Sequence, residues 1–437
     1  MRGLWSTLVL ILVLAGLVSY IYFVDSERDG AADSEREKAF ASVTAEDIEE
    51  IRITSADGET SRLTKADGTW KLVEPVQADA DENELTSITS SLASLDIQRV
   101  VDENASDVTQ YGLEPARIEV GFRTKGAQDM RRILLGEKTP TGGDLYARLP
   151  DQQRVFLVSS FLDTTFNKNT FALREKGVIT IDRDTIDGVD IAAGARSIRL
   201  AKSGTEWRIV QPLAGRADFA AVEGALERLS SAQMQGIVAP EGGDLKRYKL
   251  DPPVATFTAM TGSSRAALLF GETENALMYA KDASRPMVFT VAPTLYTDLV
   301  RDLSEFRRKD LFDSRSFTAT RIEFQRGTEK IVLSKSSVDG KDVWRNAEGK
   351  DVDAAKVDDL LAKVTALRAD TFESTVSGAL KTPALTVTVA FDDNKTEQVA
   401  FASAAGDVVA RRSDEPGSAR LMASSFDEVL KALDAVK

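Results

Sequence analysis

Residues 48–54, Ile-Glu-Glu-Ile-Arg-Ile-Thr, alternate apolar and charged side chains, and Ser61 to Lys65 and Trp70 to Val73 continue the alternation. A period of two marks half-buried strands, and the Asp57-Gly58 and Asp67-Gly68 pairs between them are hairpin turn formers. The period then changes. Leu85, Ile88, Leu92 and Leu95 recur at helical spacing, and Asp81 with Glu84 makes a capping box at the start. Strand patterns return at Ile118 to Arg123, Met130 to Leu135 and Val155 to Val158, followed by a helical pattern near Ser160 to Lys168. Strands with one apolar face and helices with one apolar stripe bury each other, so the unit is α+β with a mainly antiparallel sheet.

The unit recurs. Trp70, Trp207 and Trp344 are spaced 137 residues apart, and Thr69-Trp70-Lys71-Leu72-Val73-Glu74-Pro75 matches Glu206-Trp207-Arg208-Ile209-Val210-Gln211-Pro212. Tyr111-Gly112-Leu113-Glu114-Pro115 matches Tyr248-Lys249-Leu250-Asp251-Pro252 at the same interval. Leu135-Gly136-Glu137 answers Phe270-Gly271-Glu272, Tyr146-Ala147 answers Tyr279-Ala280, and Val155 to Val158 answers Val288 to Val291. Phe171, before a basic stretch, answers Phe306. The helical stripe returns as Asp218, Val222, Leu226 and Leu229, then as Asp353, Val357, Leu360, Leu361 and Val364. The third copy is shorter and lacks the tyrosine of the Tyr-x-Leu-x-Pro phrase, with Leu380 to Pro383 in its place. Three modules are therefore expected, at 43–181, 182–317 and 318–437.

Ahead of them, Leu4 to Val24 carries no charge. A run of that length at about 1.5 Å per residue spans roughly 30 Å, the thickness of a bilayer core. Arg2 precedes it, and Asp25, Glu27 and Asp29 follow with only Arg28 among them. The positive-inside rule then places the N-terminus in the cytoplasm and the modules outside it. A cleaved signal peptide has a shorter apolar run, of about 7 to 15 residues, and a small-x-small site. Here the run ends in Ser19-Tyr20-Ile21-Tyr22-Phe23-Val24. The expectation is a retained single-pass anchor over 1–24 and a solvated linker over 25–42, in a bacterial inner membrane with the bulk periplasmic.

Composition removes much of the usual chemistry. The net charge of −14 repels nucleic-acid phosphates, so no nucleic-acid partner is expected. The chain has no cysteine, and so no disulfide or thiolate site. It has no histidine, which removes the commonest zinc ligand and the usual general base near neutral pH. No glycine-rich phosphate loop is present: Gly340-Lys341 and Gly349-Lys350 both run into aspartate. No serine lies three residues before a lysine. Asp79 to Glu84 begins like a calcium loop but has Glu84 and Ser90 where glycine and glutamate are required, so it reads as an acid-rich helix start. Gly136 to Gly143 reads as a loop between strands, and Arg307-Arg308-Lys309 as a solvated helix end. The repeated tryptophans read as core residues. No catalytic residue, metal ligand or cofactor site is assigned.

The phrases Trp70 to Val76, Tyr111 to Pro115 and Leu135 to Gly143, in that order and spacing, resemble a bacterial family known as domain of unknown function 4340 (DUF4340). The resemblance implies an N-terminal membrane anchor and a role beside ABC transporters of the gliding-motility type, many members being encoded next to one. It supplies no catalytic residues. Two classes of function are then in play. One is a non-enzymatic accessory subunit, a scaffold or ligand presenter, whose partners are the membrane and the permease and ATPase of an ABC system. The other is a cell-envelope enzyme working on glycan or peptide through carboxylates or a Ser-Lys pair. A polysaccharide or lipid binder is a weaker third. The sequence leaves the oligomeric state open.

Overall fold

The computed structural model describes residues 37–338, 341–391, 395–404 and 406–436. The expected membrane span over 1–24, and the linker up to residue 36, lie outside the described residues. Among those that are described, no helix is long and apolar enough to cross a membrane.

Nine strands form the first sheet: β1 (Ile48–Thr54), β2 (Thr60–Ala66), β3 (Thr69–Glu74), β4 (Ala78–Asp79), β5 (Arg99–Asp102), β6 (Ile118–Thr124), β7 (Arg131–Lys138), β8 (Asp144–Arg148) and β9 (Val155–Ser159). Their order is β4-β3-β2-β1-β6-β7-β8-β9-β5, and neighbours pair antiparallel. Helix α1 (Glu82–Ala93) follows β4, and α2 (Phe161–Phe166) and α3 (Thr170–Leu173) follow β9.

The second sheet repeats this order with β10 (Gly188–Ala193), β11 (Arg196–Ser203), β12 (Glu206–Gln211), β13 (Gly215–Arg216), β14 (Gly236–Ala239), β15 (Ala255–Thr261), β16 (Ser264–Glu274), β17 (Leu277–Asp282) and β18 (Val288–Val291). Its helices are α4 (Phe219–Ser231), α5 (Pro293–Leu299) and α6 (Leu303–Phe306). The third has β19 (Ala319–Arg326), β20 (Glu329–Val338), β21 (Lys341–Asn346), β22 (Asp351–Val352), β23 (Thr371–Glu373), β24 (Leu385–Phe391), β25 (Lys395–Ala404), β26 (Asp407–Arg412) and β27 (Ser418–Leu421), again in the same order. It carries α7 (Ala354–Thr365) and one long closing helix, α8 (Ala423–Ala435). The chain divides into two compact units, 1–176 and 177–437; the first holds the first sheet and the second holds the other two.

Alternation and helical stripe meet as the sequence pattern requires. In the first unit Ile51, Ile53, Leu63 and Leu72 are buried with Leu85, Ile88 and Leu92 of α1. In the third sheet Ile322, Phe324 and Val387 are buried with Val357, Leu360 and Leu361 of α7. Trp70, Trp207 and Trp344 are buried to 4%, 2% and 2% exposure. Each lies opposite a lysine on the preceding strand, Lys65, Lys202 or Lys335, whose ammonium sits 5.9, 5.6 and 5.6 Å from the ring centre.

Some expectations change. Asp81 caps α1, accepting from the N–H groups of Asn83 and Glu84, but Glu84 does not complete a capping box. The Asp81 N–H instead donates to Leu173 O at 2.9 Å, and Glu84 pairs with Lys168 at 2.8 Å. The helical pattern near Ser160 to Lys168 is the short helix α2, with α3 following beyond it, and the equivalent of Phe306 is Leu173 rather than Phe171. Leu173 O and Phe306 O accept from the corresponding N–H groups of Asp81 and Asp218. Gly136 to Lys138 is strand, with the loop confined to the residues after it.

Candidate functional site

The signature phrases build a joint within each of the first two sheets. Thr109 to Tyr111 forms one turn of 3-10 helix closed by Gly112 at φ 69°, and Leu245 to Tyr248 repeats it with Lys249 at φ 55°. Tyr111 packs on Tyr146 and Tyr248 on Tyr279, each with ring centres 4.9 Å apart. Gly136 and Gly271 lie so close to the Tyr111 and Tyr248 carbonyls that a Cβ at either would run into them. These positions are therefore accounted for by packing. The acid-rich helix start is also spent on structure: Asp79 pairs with Lys71, Glu82 accepts from the Trp70 N–H at 2.7 Å, and Asp81 meets Lys176 at 2.7 Å. Burial pushes the Asp81 carboxyl up, but Lys176 and the helix N–H groups outweigh it and hold it below its ordinary value. Among the described residues no group of three or more His, Cys, Asp or Glu is placed to hold a metal ion.

A dense polar cluster joins the second and third sheets inside the second unit. Arg307-Arg308-Lys309 is not a solvated helix end. Arg307 is 4% exposed because the chain leaving α6 runs back extended beside Arg216 and Ala217, bridging Ala217 at Arg307, before it leads on towards the third sheet. Glu415, in the β26–β27 turn, reaches across. Its Oε1 accepts from Arg216 Nε at 2.6 Å and its Oε2 from Arg307 Nη2 at 3.0 Å. Arg216 also donates to Asp313 and to the Asp310 carbonyl, both at 2.6 Å, and Arg308 Nη1 lies 2.5 Å from Asp313. Arg412 continues the network to Glu397 and Asp414, both at 2.9 Å, and Glu397 accepts from the N–H groups of Asp313 and Ser314.

Burial raises the Glu415 carboxyl, yet Arg216 and Arg307 outweigh it and the net shift is downward. Asp414 is likewise held low by Arg412 against its own burial. Carboxylates held low are poor bases near neutral pH. The cluster thus reads as a lock between sheets.

Beside it opens a groove of about 800 Å³. Ile198, Leu213, Leu303 and Phe372 line it, with the Arg307 guanidinium 4.1 Å from the Phe372 ring centre. The acids Asp302 and Glu373 along it pair with Arg196 and Arg420. Such a groove offers apolar area and paired charges, which suits recognition.

Comparison with family models matches DUF4340, domain of unknown function, over residues 70–212 and again over 207–385. The chain belongs to this family. The two DUF4340 matches start at Trp70 and at Trp207, so the model itself registers the repeat. Comparison with curated proteins gave no match. A solved structure of a Bacteroides uniformis protein provisionally named a 6-phosphogluconolactonase aligns over 85% of this chain and 83% of its own at 10% identity. Its TM-score of 0.08 carries no argument about fold or activity.

Sequence reasoning missed the lock because it does not repeat. The residue three past the end of β8, β17 and β26 is Asp151, Arg285 and Glu415 in turn. Arg285 holds the Gly177 carbonyl at 2.9 Å, so the same turn clasps an incoming segment with opposite charge. The only signal was the basic run itself.

Proposed function

We propose that this DUF4340 protein is a membrane-anchored, extracytoplasmic and non-enzymatic accessory subunit of an ABC-type transport system. The observation that carries the reading is how the charged groups are used. The buried charges between the second and third sheets bond arginine to carboxylate, with Asp414 and Glu415 held low, and they tie the sheets together. A nucleophile-base constellation is not what this cluster supplies. The uncharged run Leu4 to Val24 supports anchoring, and an anchor raises the effective concentration of the modules toward a membrane partner. The transporter itself rests on the family resemblance, an associational warrant.

Photo-crosslinking in intact cells, from probes placed along the 800 Å³ groove, tests it. The expected product is an adduct with a transporter permease, reduced when residues 1–24 are deleted. Turnover of cell-wall glycan or peptide by the purified protein, abolished by one carboxylate or serine substitution, overturns it. Alkaline phosphatase fused after Lys437 is expected to be active; an inactive fusion overturns the topology.

A further inference from the structure

In the first two sheets the short outer strand is covered by the segment that leaves the last short helix. In the first, Asp81 N–H donates to Leu173 O at 2.9 Å and Glu175 N–H to Asp79 O at 2.8 Å. In the second, Asp218 N–H donates to Phe306 O at 2.7 Å and Arg308 N–H to Arg216 O at 3.0 Å. The third sheet offers the same pair of groups at the Asp353 N–H and the Asp351 carbonyl, since Trp344 pairs with Val352 and Arg345 with Asp351 in the register of the other copies. Among the described residues no backbone group meets either one; a single helix, α8, stands where the other copies have two short helices. Exposure follows the hydrogen bonds. Ala80 and Ala217 are buried where Val352 is half-buried, and Asp81 and Asp218 are half-buried where Asp353 is exposed.

A sheet edge with free N–H and C=O groups is a template for strand addition. The sister copies show what chemistry covers it. The covering segments read Arg174-Glu175-Lys176 and Arg307-Arg308-Lys309, and Lys176 reaches the helix-capping Asp81 at 2.7 Å. Asp353 caps α7 in the same way, accepting from Ala355 N–H at 2.9 Å, and among the described residues no cation pairs with it. We propose that the edge Asp351 to Asp353 binds an extended segment of a partner protein, added antiparallel and reading Arg-x-Lys, with the lysine on Asp353. The proposal goes beyond the transporter reading and does not depend on it.

The probe is a synthetic peptide of residues 170–176, Thr-Phe-Ala-Leu-Arg-Glu-Lys, added to the full chain while amide exchange of 350–354 is followed. Exchange of the Asp353 N–H should slow about tenfold at peptide near ten times its Kd. A peptide N-methylated at the glutamate loses its pairing donor and should have no effect. Asp353→Asn keeps a capping side chain and removes the charge, so it should weaken binding about three- to fivefold. No slowing at millimolar peptide, or equal slowing by the N-methylated peptide, overturns the proposal. Protection already present in the free protein overturns it too: if it rises with protein concentration a second copy covers the edge, and if not, the chain covers its own.

Discussion

The sheet cores and the lock between the second and third sheets are built on opposite terms. The cores are apolar and repeat: Trp70, Trp207 and Trp344 occupy one position three times, each beneath a lysine. The lock is ionic and does not repeat, since the turn holding Glu415 in one copy holds Arg285 in another. Hydrophobic packing tolerates drift in sequence as long as volume and pattern persist, so copies keep it. A buried ion pair demands both partners in place, and so it marks where one particular neighbour must fit.

The comparison breaks first at the cores. Trp344→Ala should cost about 3 to 5 kcal/mol, read as a lowered melting temperature of the second unit. An unchanged melt with altered partner capture would make the ring a surface contact. Next comes Glu415→Ala, which leaves the buried Arg307 without its carboxylate and Arg216 with Asp313 alone, and should cost about 3 kcal/mol in chemical denaturation. A variant as stable as the parent would mean that the lock contributes no stability.

Acid should mimic that substitution. The folded pKa of Glu415 lies below its unfolded value, so its contribution is complete above the ordinary glutamate value of about 4.3 and is lost as pH falls through the folded value. The second unit should therefore lose more stability than its Glu415→Gln variant does as pH drops below that value. Parallel acid profiles would contradict the assignment.

Gly271→Ala drives a Cβ into the Tyr248 carbonyl and should cost about 2 kcal/mol, whereas Gly143→Ala, with open space around it, should cost little. Lys65→Ala should give the smallest change, about 0.5 to 1 kcal/mol, for loss of the contact over Trp70.

What the sequence made legible follows the same division. Period-two strands, the helix stripe and the tryptophan interval are local signals, and they locate most strands of the first sheet. Ala78–Asp79 and Arg99–Asp102 escaped because they are short edge strands with no alternation to read. Asp144–Arg148 escaped because its one landmark, Tyr146-Ala147, is shared with the tyrosine joint. The Asp81 cap was visible but its partner was not, because the N–H that a capping box would use is taken by Leu173, far along the chain. Arg307-Arg308-Lys309 looked solvated because the carboxylate that meets Arg307, Glu415, comes from a turn far along the chain.

Whether that lock holds the second and third sheets as one body can be measured directly. The chain has no cysteine, so Ser230→Cys and Asp427→Cys give two clean, exposed labelling sites, one on α4 and one on α8. Pulsed electron spin resonance at neutral pH should give a narrow distance distribution that broadens when Glu415→Gln is added. Identical distributions with and without Glu415 would show that the sheets are held together by something other than the ionic lock.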